Sequence, residues 1–137
     1  MADDAKIFDY PLKIREHHLD TFGHVNNAVY LQIFEEARWD LITQNDYGLK
    51  EIKASGRGPV ILELQLKFMR ELTLGMNVTI RTEMASYTKK IFVIRQWIEN
   101  ANAEICAEAH FTGGLFDLNA RKLIEPDDAW LRAIGMK

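Results

Sequence analysis

The 137 residues suffice for one domain with a real core, since a chain of this size buries roughly two-thirds of its unfolded surface. Hydrophobic residues make up 47% and charged residues 27%, which excludes an intrinsically disordered chain. The net charge of −3, with Lys and Arg scattered, argues against a nucleic-acid binder, and no run of 18 apolar residues offers a membrane span.

The opening MADDAKIFDY is acidic and has no apolar run of signal-peptide length, so a cytoplasmic protein is expected. A first strand is predicted over Ile7 to Glu16, with Pro11 suiting an edge or entry position. A polar, turn-prone segment from Asp20 to Asn27 follows. From Ala28 to Thr43 the apolar residues Tyr30, Ile33, Phe34, Ala37 and Leu41 recur at helical spacing, and Leu31 and Ile42 widen the stripe. Gln32, Glu35, Glu36, Asp40 and Thr43 fall on the opposite face. The segment NDYGLKEIKASGRGP reads as a loop.

Beyond Pro59 the period changes to two. Leu62, Leu64, Leu66 and Phe68 alternate with Glu63, Gln65 and Lys67, the pattern of a strand with one buried face. After a turn at Thr73 to Met76, NVTIRTEMAS, KIFVIRQWIE and EICAEAHFTGGLFDL predict three more strands. Val78, Ile80 and Met84 are expected to point inward, as are Ile105, Ala107, Ala109 and Phe111. The connectors are short, which favours an antiparallel meander. Cys106 lies in one of these strands as the single cysteine, a small buried side chain in a reducing compartment. The chain is predicted to end in a short helix with Asp127 or Asp128 near its start. This segregated order is that of an α+β domain spanning residues 1–137, and open sheet edges invite a second copy to pair.

The polar segment concentrates the chemistry. Asp20 fits a turn carboxylate, or a carboxylate held near the positive end of the helix. Gly23 serves a turn or clears room for a ligand. Asn26 and Asn27 are capping residues, and the N–H groups beyond a cap form an anion site suited to a developing oxyanion. His17 and His18 on an extended segment would point to opposite faces, so no metal site is expected. His24 fits a hydrogen-bonding residue of a pocket or a packed loop imidazole. Glu35 and Glu36 form a solvated or subunit-facing surface, or place a second carboxylate in the site. Lys89 and Lys90 fit gatekeepers of an aggregation-prone strand, or phosphate contacts together with Arg57, Lys67, Arg70 and Arg81.

With Asp20, Gly23, His24, Asn26, Asn27, Tyr30 and the FEEAR of the helix in view, the chain strongly resembles the hotdog-fold acyl-CoA thioesterases of the 4-hydroxybenzoyl-CoA thioesterase superfamily. The likeness covers D-x-x-G-H-V-N-N-x-x-Y-L, the helix, and the strands beginning PVILELQLKF, nearly the whole chain. It implies a five-stranded antiparallel sheet wrapped around one long central helix, homodimers with active sites at the subunit interface, and often dimers of dimers. By position, Asp20 matches the family's catalytic carboxylate, nucleophile or general base. Asn27, seven residues on, matches the position whose backbone N–H polarises the thioester carbonyl. Some short-chain members carry histidine at that place; here it stands at His24, as in the G-H-V-N-N branch and the plant acyl-ACP thioesterases. Both acyl-CoA and acyl-ACP therefore stand as substrates. His24 joins Asp20 and Asn27 as a candidate catalytic residue, with Gly23, Asn26, Tyr30, Glu35, Lys89 and Lys90 expected around the substrate and no cofactor required. Two rivals are a hotdog dehydratase or hydratase, whose H-F-P-G-x-P and D-x-N-P-x-H motifs are absent, and a non-catalytic acyl-binding protein, which retention of Asp20 opposes.

Overall fold

The computed structural model describes residues 6–137, so the first five residues of the acidic opening lie outside it. Strands β1 (Ile7–Lys13), β2 (Arg57–Phe68), β3 (Asn77–Thr88), β4 (Ile91–Glu99) and β5 (Ile105–Asp117) form one antiparallel sheet in the order β1-β3-β4-β5-β2. The meander β3-β4-β5 follows from its short connectors, and the two strands flanking the long helix become the edges. Pro11 opposes Thr79 on β1, whose outer side needs no ladder partner. A short β6 (Lys122–Ile124), not anticipated from the sequence, continues alongside β5 past the end of β4.

Helix α1 (Asn27–Gln44) buries Tyr30, Ile33, Phe34, Ala37, Leu41 and Ile42 against the sheet, while Gln32, Glu35, Glu36 and Thr43 stay exposed. This is the expected α+β hotdog architecture. One buried amide fastens its two layers. Gln96, fully buried on β4, donates from Nε2 to the Phe34 carbonyl (3.1 Å) and to Thr82 Oγ1 (2.9 Å), and its Oε1 accepts from Arg38 (2.8 Å). A buried amide left unpaired costs about 1–3 kcal/mol, so full pairing fixes where α1 crosses the sheet. Cys106 is buried, as expected, and burial pushes its thiol pKa up. Asp127 caps α3 (Asp128–Ala133), accepting the Trp130 N–H at 2.8 Å.

Three predicted features are corrected. The first strand stops at Lys13, and Glu16 to His18 form a 3-10 turn in which His18 Nδ1 accepts the Arg15 N–H at 2.9 Å. His17 and His18 are therefore not on extended chain: their rings lie 4.0 Å apart, with His18 buried and His17 exposed. The predicted loop before Pro59 contains a helix, α2 (Leu49–Ser55). Its glycines are caps: the Gly48 N–H donates to Glu51 Oε1 at 2.9 Å, and Gly56 ends it at φ 74°. Finally, the apolar face of β2 is only partly covered within one chain: Leu66 packs half-buried against the core. The register slips between Ile61 and Glu63, and Leu62, Leu64 and Phe68 remain 55%, 43% and 49% exposed.

Candidate active site

Leu19 and Val25 form a single bridge that closes the residues between them into a tight loop. Inside it, Asp20 Oδ1 accepts the backbone N–H groups of Phe22 (2.9 Å) and His24 (3.2 Å). The Asp20 N–H donates to the His24 carbonyl (2.9 Å), and the Gly23 N–H to the Asp20 carbonyl (3.1 Å). One carboxylate oxygen thus builds the loop, while Oδ2 has no donor among the described residues. Gly23 adopts φ 81°, and a Cβ there would meet nothing within 4 Å. The turn, not close packing within this chain, requires glycine at that point.

The loop delivers the chain to α1. Asn26 is the cap, its Oδ1 accepting the Ala28 N–H at 2.9 Å, and its carbonyl takes the Val29 N–H at 2.9 Å. Asn27, the first helical residue, is left with a backbone N–H that has no acceptor among the described residues. No acidic residue in the first turn competes for it. An orphan N–H at the positive end of an 18-residue helix is a donor waiting for an anionic or carbonyl oxygen.

Beside this terminus lies a shallow depression of about 300 Å³ between Asn27 and Tyr30 of α1 and the stretch Phe68 to Glu71. Tyr30 is buried edge-on against Phe68, ring centroids 5.0 Å apart, and burial raises its hydroxyl pKa, which keeps it a neutral donor. The His24 imidazole contacts the Glu71 carboxylate, both side chains exposed. That pairing was not legible in the sequence, because Glu71 is contributed from beyond β2. Among the described residues no three His, Cys, Asp or Glu side chains are grouped so that they could hold a metal ion.

The structure therefore brings together Asp20, Gly23, His24, Asn26, Asn27 and Tyr30. It does not bring Glu35, Lys89 or Lys90 to them within one chain. Lys89 and Lys90 form the β3–β4 hairpin tip, and the Lys90 carbonyl abuts Gly114, whereas Phe68 beside the helix terminus pairs with Ala107. Seven strand residues separate those levels of β5, about 23 Å. Glu35 lies at the rim of a second cavity, of about 240 Å³, under the C-terminal half of α1 and bounded by Phe8, Arg38, Trp39, Ile61, Phe92 and Trp130. Arg38, the last residue of the FEEAR run, lies outside the apolar stripe yet turns inward. Its guanidinium stacks 4.2 Å from the Phe111 ring centroid and donates to Gln96. Burial pulls its pKa down to about 10, opposed only by Glu35.

Residues 14–134 match the family model of the thioesterase-like superfamily. The chain belongs to that family. It is 30% identical over 114 residues to the long-chain acyl-CoA thioesterase FadM of Escherichia coli K12, a match covering 82% of this chain and 86% of that protein. It is 31% identical over 107 residues to the chloroplastic acyl-acyl carrier protein thioesterase ATL2 of Arabidopsis thaliana, covering 77% of this chain and 57% of that protein. Among solved structures, the probable thioesterase YbaW of Escherichia coli superposes with a TM-score of 0.81 at 26% identity, covering 93% of this chain and 96% of the other. Membership makes this chain a hotdog-fold thioester hydrolase. Among its described residues, no helix is long and apolar enough to cross a membrane.

Proposed function

We propose that this thioesterase hydrolyses acyl-CoA to a free carboxylic acid and CoA at the N-terminus of α1. The observation that carries the reading is the orphan Asn27 N–H beside a loop whose Asp20 has one oxygen committed to the fold and one uncommitted. In this mechanism the thioester carbonyl oxygen accepts the Asn27 N–H, and losing one such donor costs on the order of 10²–10³ in rate. Asp20 then attacks the carbonyl carbon, or takes a proton from a water that attacks it. On the first route the C–S bond breaks to leave a mixed anhydride and the CoA thiolate, and water hydrolyses the anhydride. On the second, the tetrahedral adduct collapses, expels the thiolate and returns the Asp20 proton to sulfur.

The other candidates take supporting roles. His24, held by Glu71, orders the loop and reaches toward the leaving group; Asn26 sets the direction of the Asn27 N–H; Gly23 and Tyr30 border the thioester. The partly uncovered face of β2 supports a homodimer in which two β2 strands pair antiparallel, alone or as half of a dimer of dimers. Such pairing would carry Glu35, Lys89 and Lys90 of the partner toward Asp20, where the lysines suit the phosphates of CoA. A single buried cysteine fits a reducing cytoplasm. The likeness to a plant acyl-carrier-protein thioesterase keeps that thiol partner as the second reading.

The test is thiol release over aliphatic, branched and aromatic acyl-CoAs and acyl carrier protein thioesters, with wild type and Asp20→Asn. Asparagine retains an Oδ1 for the two loop N–H groups but loses the base and nucleophile. A loss of at least about 10² in kcat/KM is expected. Equal rates for both proteins across the panel refute the assignment.

A further inference from the structure

The cavity under the C-terminal half of α1 is mostly apolar, and its polar lining residues are Glu35, Arg38, Thr82 and Glu83. Thr82 Oγ1 accepts from Gln96 and Glu83 pairs with Arg95, whereas Arg38 keeps donors to spare. One face of its guanidinium is covered by Phe111, one nitrogen donates to Gln96, and no carboxylate lies within ion-pair distance of it among the described residues. A guanidinium has five N–H donors in a rigid fork, so most of its hydrogen-bonding capacity is unspent. The uncommitted nitrogens are not sealed in the core, since none is among the fully buried atoms without a partner, and Arg38 itself lines the cavity. Glu35, one turn earlier, stands at the rim and is exposed. It offsets the charge of Arg38 at long range without occupying the fork.

We propose that this cavity holds the far end of the acyl group and that Arg38 selects acyl groups bearing an oxygen acceptor there, a hydroxyl, keto or carboxylate oxygen, over methyl-ended chains. The inference rests on the acyl-thioester reading and specifies its substrate class. A methyl-ended chain entering the cavity strips water from the Arg38 donors and gives nothing in return, leaving a buried charge unpaired. An oxygen-ended chain replaces that water with an acceptor in a low-dielectric site, where a hydrogen bond to a charged group is worth about a factor of ten to a hundred. Size agrees. An empty cavity of about 150 Å³ accepts the six carbons of benzene, and on that scale a space of about 240 Å³ takes roughly ten non-hydrogen atoms, a substituted ring or a medium chain segment.

The experiment uses non-hydrolysable thioether analogues, so that binding is read apart from turnover. S-alkyl-CoA, S-(ω-hydroxyalkyl)-CoA and S-(ω-carboxyalkyl)-CoA, matched in length from about six to twelve carbons, are titrated calorimetrically into wild type and Arg38→Met. The expected result is a wild-type preference of about ten- to hundredfold for an oxygen-ended chain at the length that fills the cavity, falling to about unity in Arg38→Met. The hydroxyl and carboxylate arms decide between a neutral and an anionic acceptor. Should the variant not fold, the Arg38 side-chain N–H resonances of the wild type supply the second readout, shifting with oxygen-ended and not with methyl-ended ligands. A wild-type ratio of one or less at every length, an unchanged ratio in Arg38→Met, or Arg38 resonances indifferent to the chain end overturns the proposal. A protein that shows the preference but releases no thiol from any thioester overturns the catalytic reading instead.

Discussion

Leu64 lies near the middle of β2, on an edge with no partner strand, and is 43% exposed. If β2 pairs antiparallel with its own copy about this point, Leu64→Asp strikes the two-fold twice. Burying a whole leucine side chain is worth about 1.5–3 kcal/mol, so the exposed share from two copies contributes about 1–3 kcal/mol to association. Two carboxylates meeting at the same place add desolvation and mutual repulsion of several kcal/mol. Together these weaken the dimer by more than about 10³ in Kd. The isolated fold suffers less, because Leu64 is already half exposed there. Sedimentation across a concentration series, far-UV circular dichroism and thiol release are measured on the same samples. Leu64→Asp is expected to sediment as a folded monomer where wild type is dimeric, with turnover reduced at least about 10². A wild type that is monomeric at full activity, or a monomeric variant that hydrolyses normally, refutes the argument that two copies share the site.

Three further outcomes follow from local geometry. Asn26→Ala removes the acceptor for the Ala28 N–H and is expected to cost about 1 kcal/mol, seen as a fall of about 3–5 °C in Tm, and to lower kcat as the Asn27 N–H loses its fixed direction. Burial, followed by the neighbouring His17, lowers the His18 pKa below its ordinary value of 6.5. The unfolded chain therefore binds that proton first, so stability is full above about pH 6.5 and falls with pH until the folded pKa is passed; urea melts from pH 5 to 7.5 show this slope, and His18→Gln flattens it. Cys106, buried and with its thiol pKa raised, is expected to resist iodoacetamide in the native protein and to react at once in denaturant, which mass spectrometry reads directly.

The fold was legible where periodicity and burial coincide. The stripe of α1 and the inward residues Val78, Ile80, Ala107, Ala109 and Phe111 lie in the core because their neighbours belong to the same chain. The same logic misplaced the face of β2: alternation at Leu62, Leu64 and Phe68 reports a buried surface without saying whose atoms bury it. α2 is not legible from the segment's composition, because the glycines that suggest a loop, Gly48 and Gly56, cap its seven residues. At the candidate site, the cap at Asn26 and the turn at Gly23 were legible from residue type, since both act within a few residues. The Glu71 partner of His24 and the inward turn of Arg38 depend on contacts across 47 and 58 residues, and no local spacing encodes them.

The arrangement of α1 bears on the proposed homodimer. The orphan donor stands at Asn27 and the apolar cavity opens near Arg38, eleven residues later, a separation of about 16 Å along the helix axis. Within one chain, Tyr30 and Phe68 pack edge-on at the Asn27 end of α1, and the depression there and the cavity near Arg38 share no lining residue. β2 runs opposite to α1: its Phe68 end lies beside the helix N-terminus, and its Pro59 to Ile61 end lines the cavity. Antiparallel pairing of two β2 strands sets the Phe68 end of one against the Pro59 end of the other. It thereby brings an oxyanion donor from one copy to the cavity mouth of its partner. The exposed apolar edge, the unfilled donor and the empty apolar space would then be one feature, each incomplete in the single chain and each completed by the same two-fold axis.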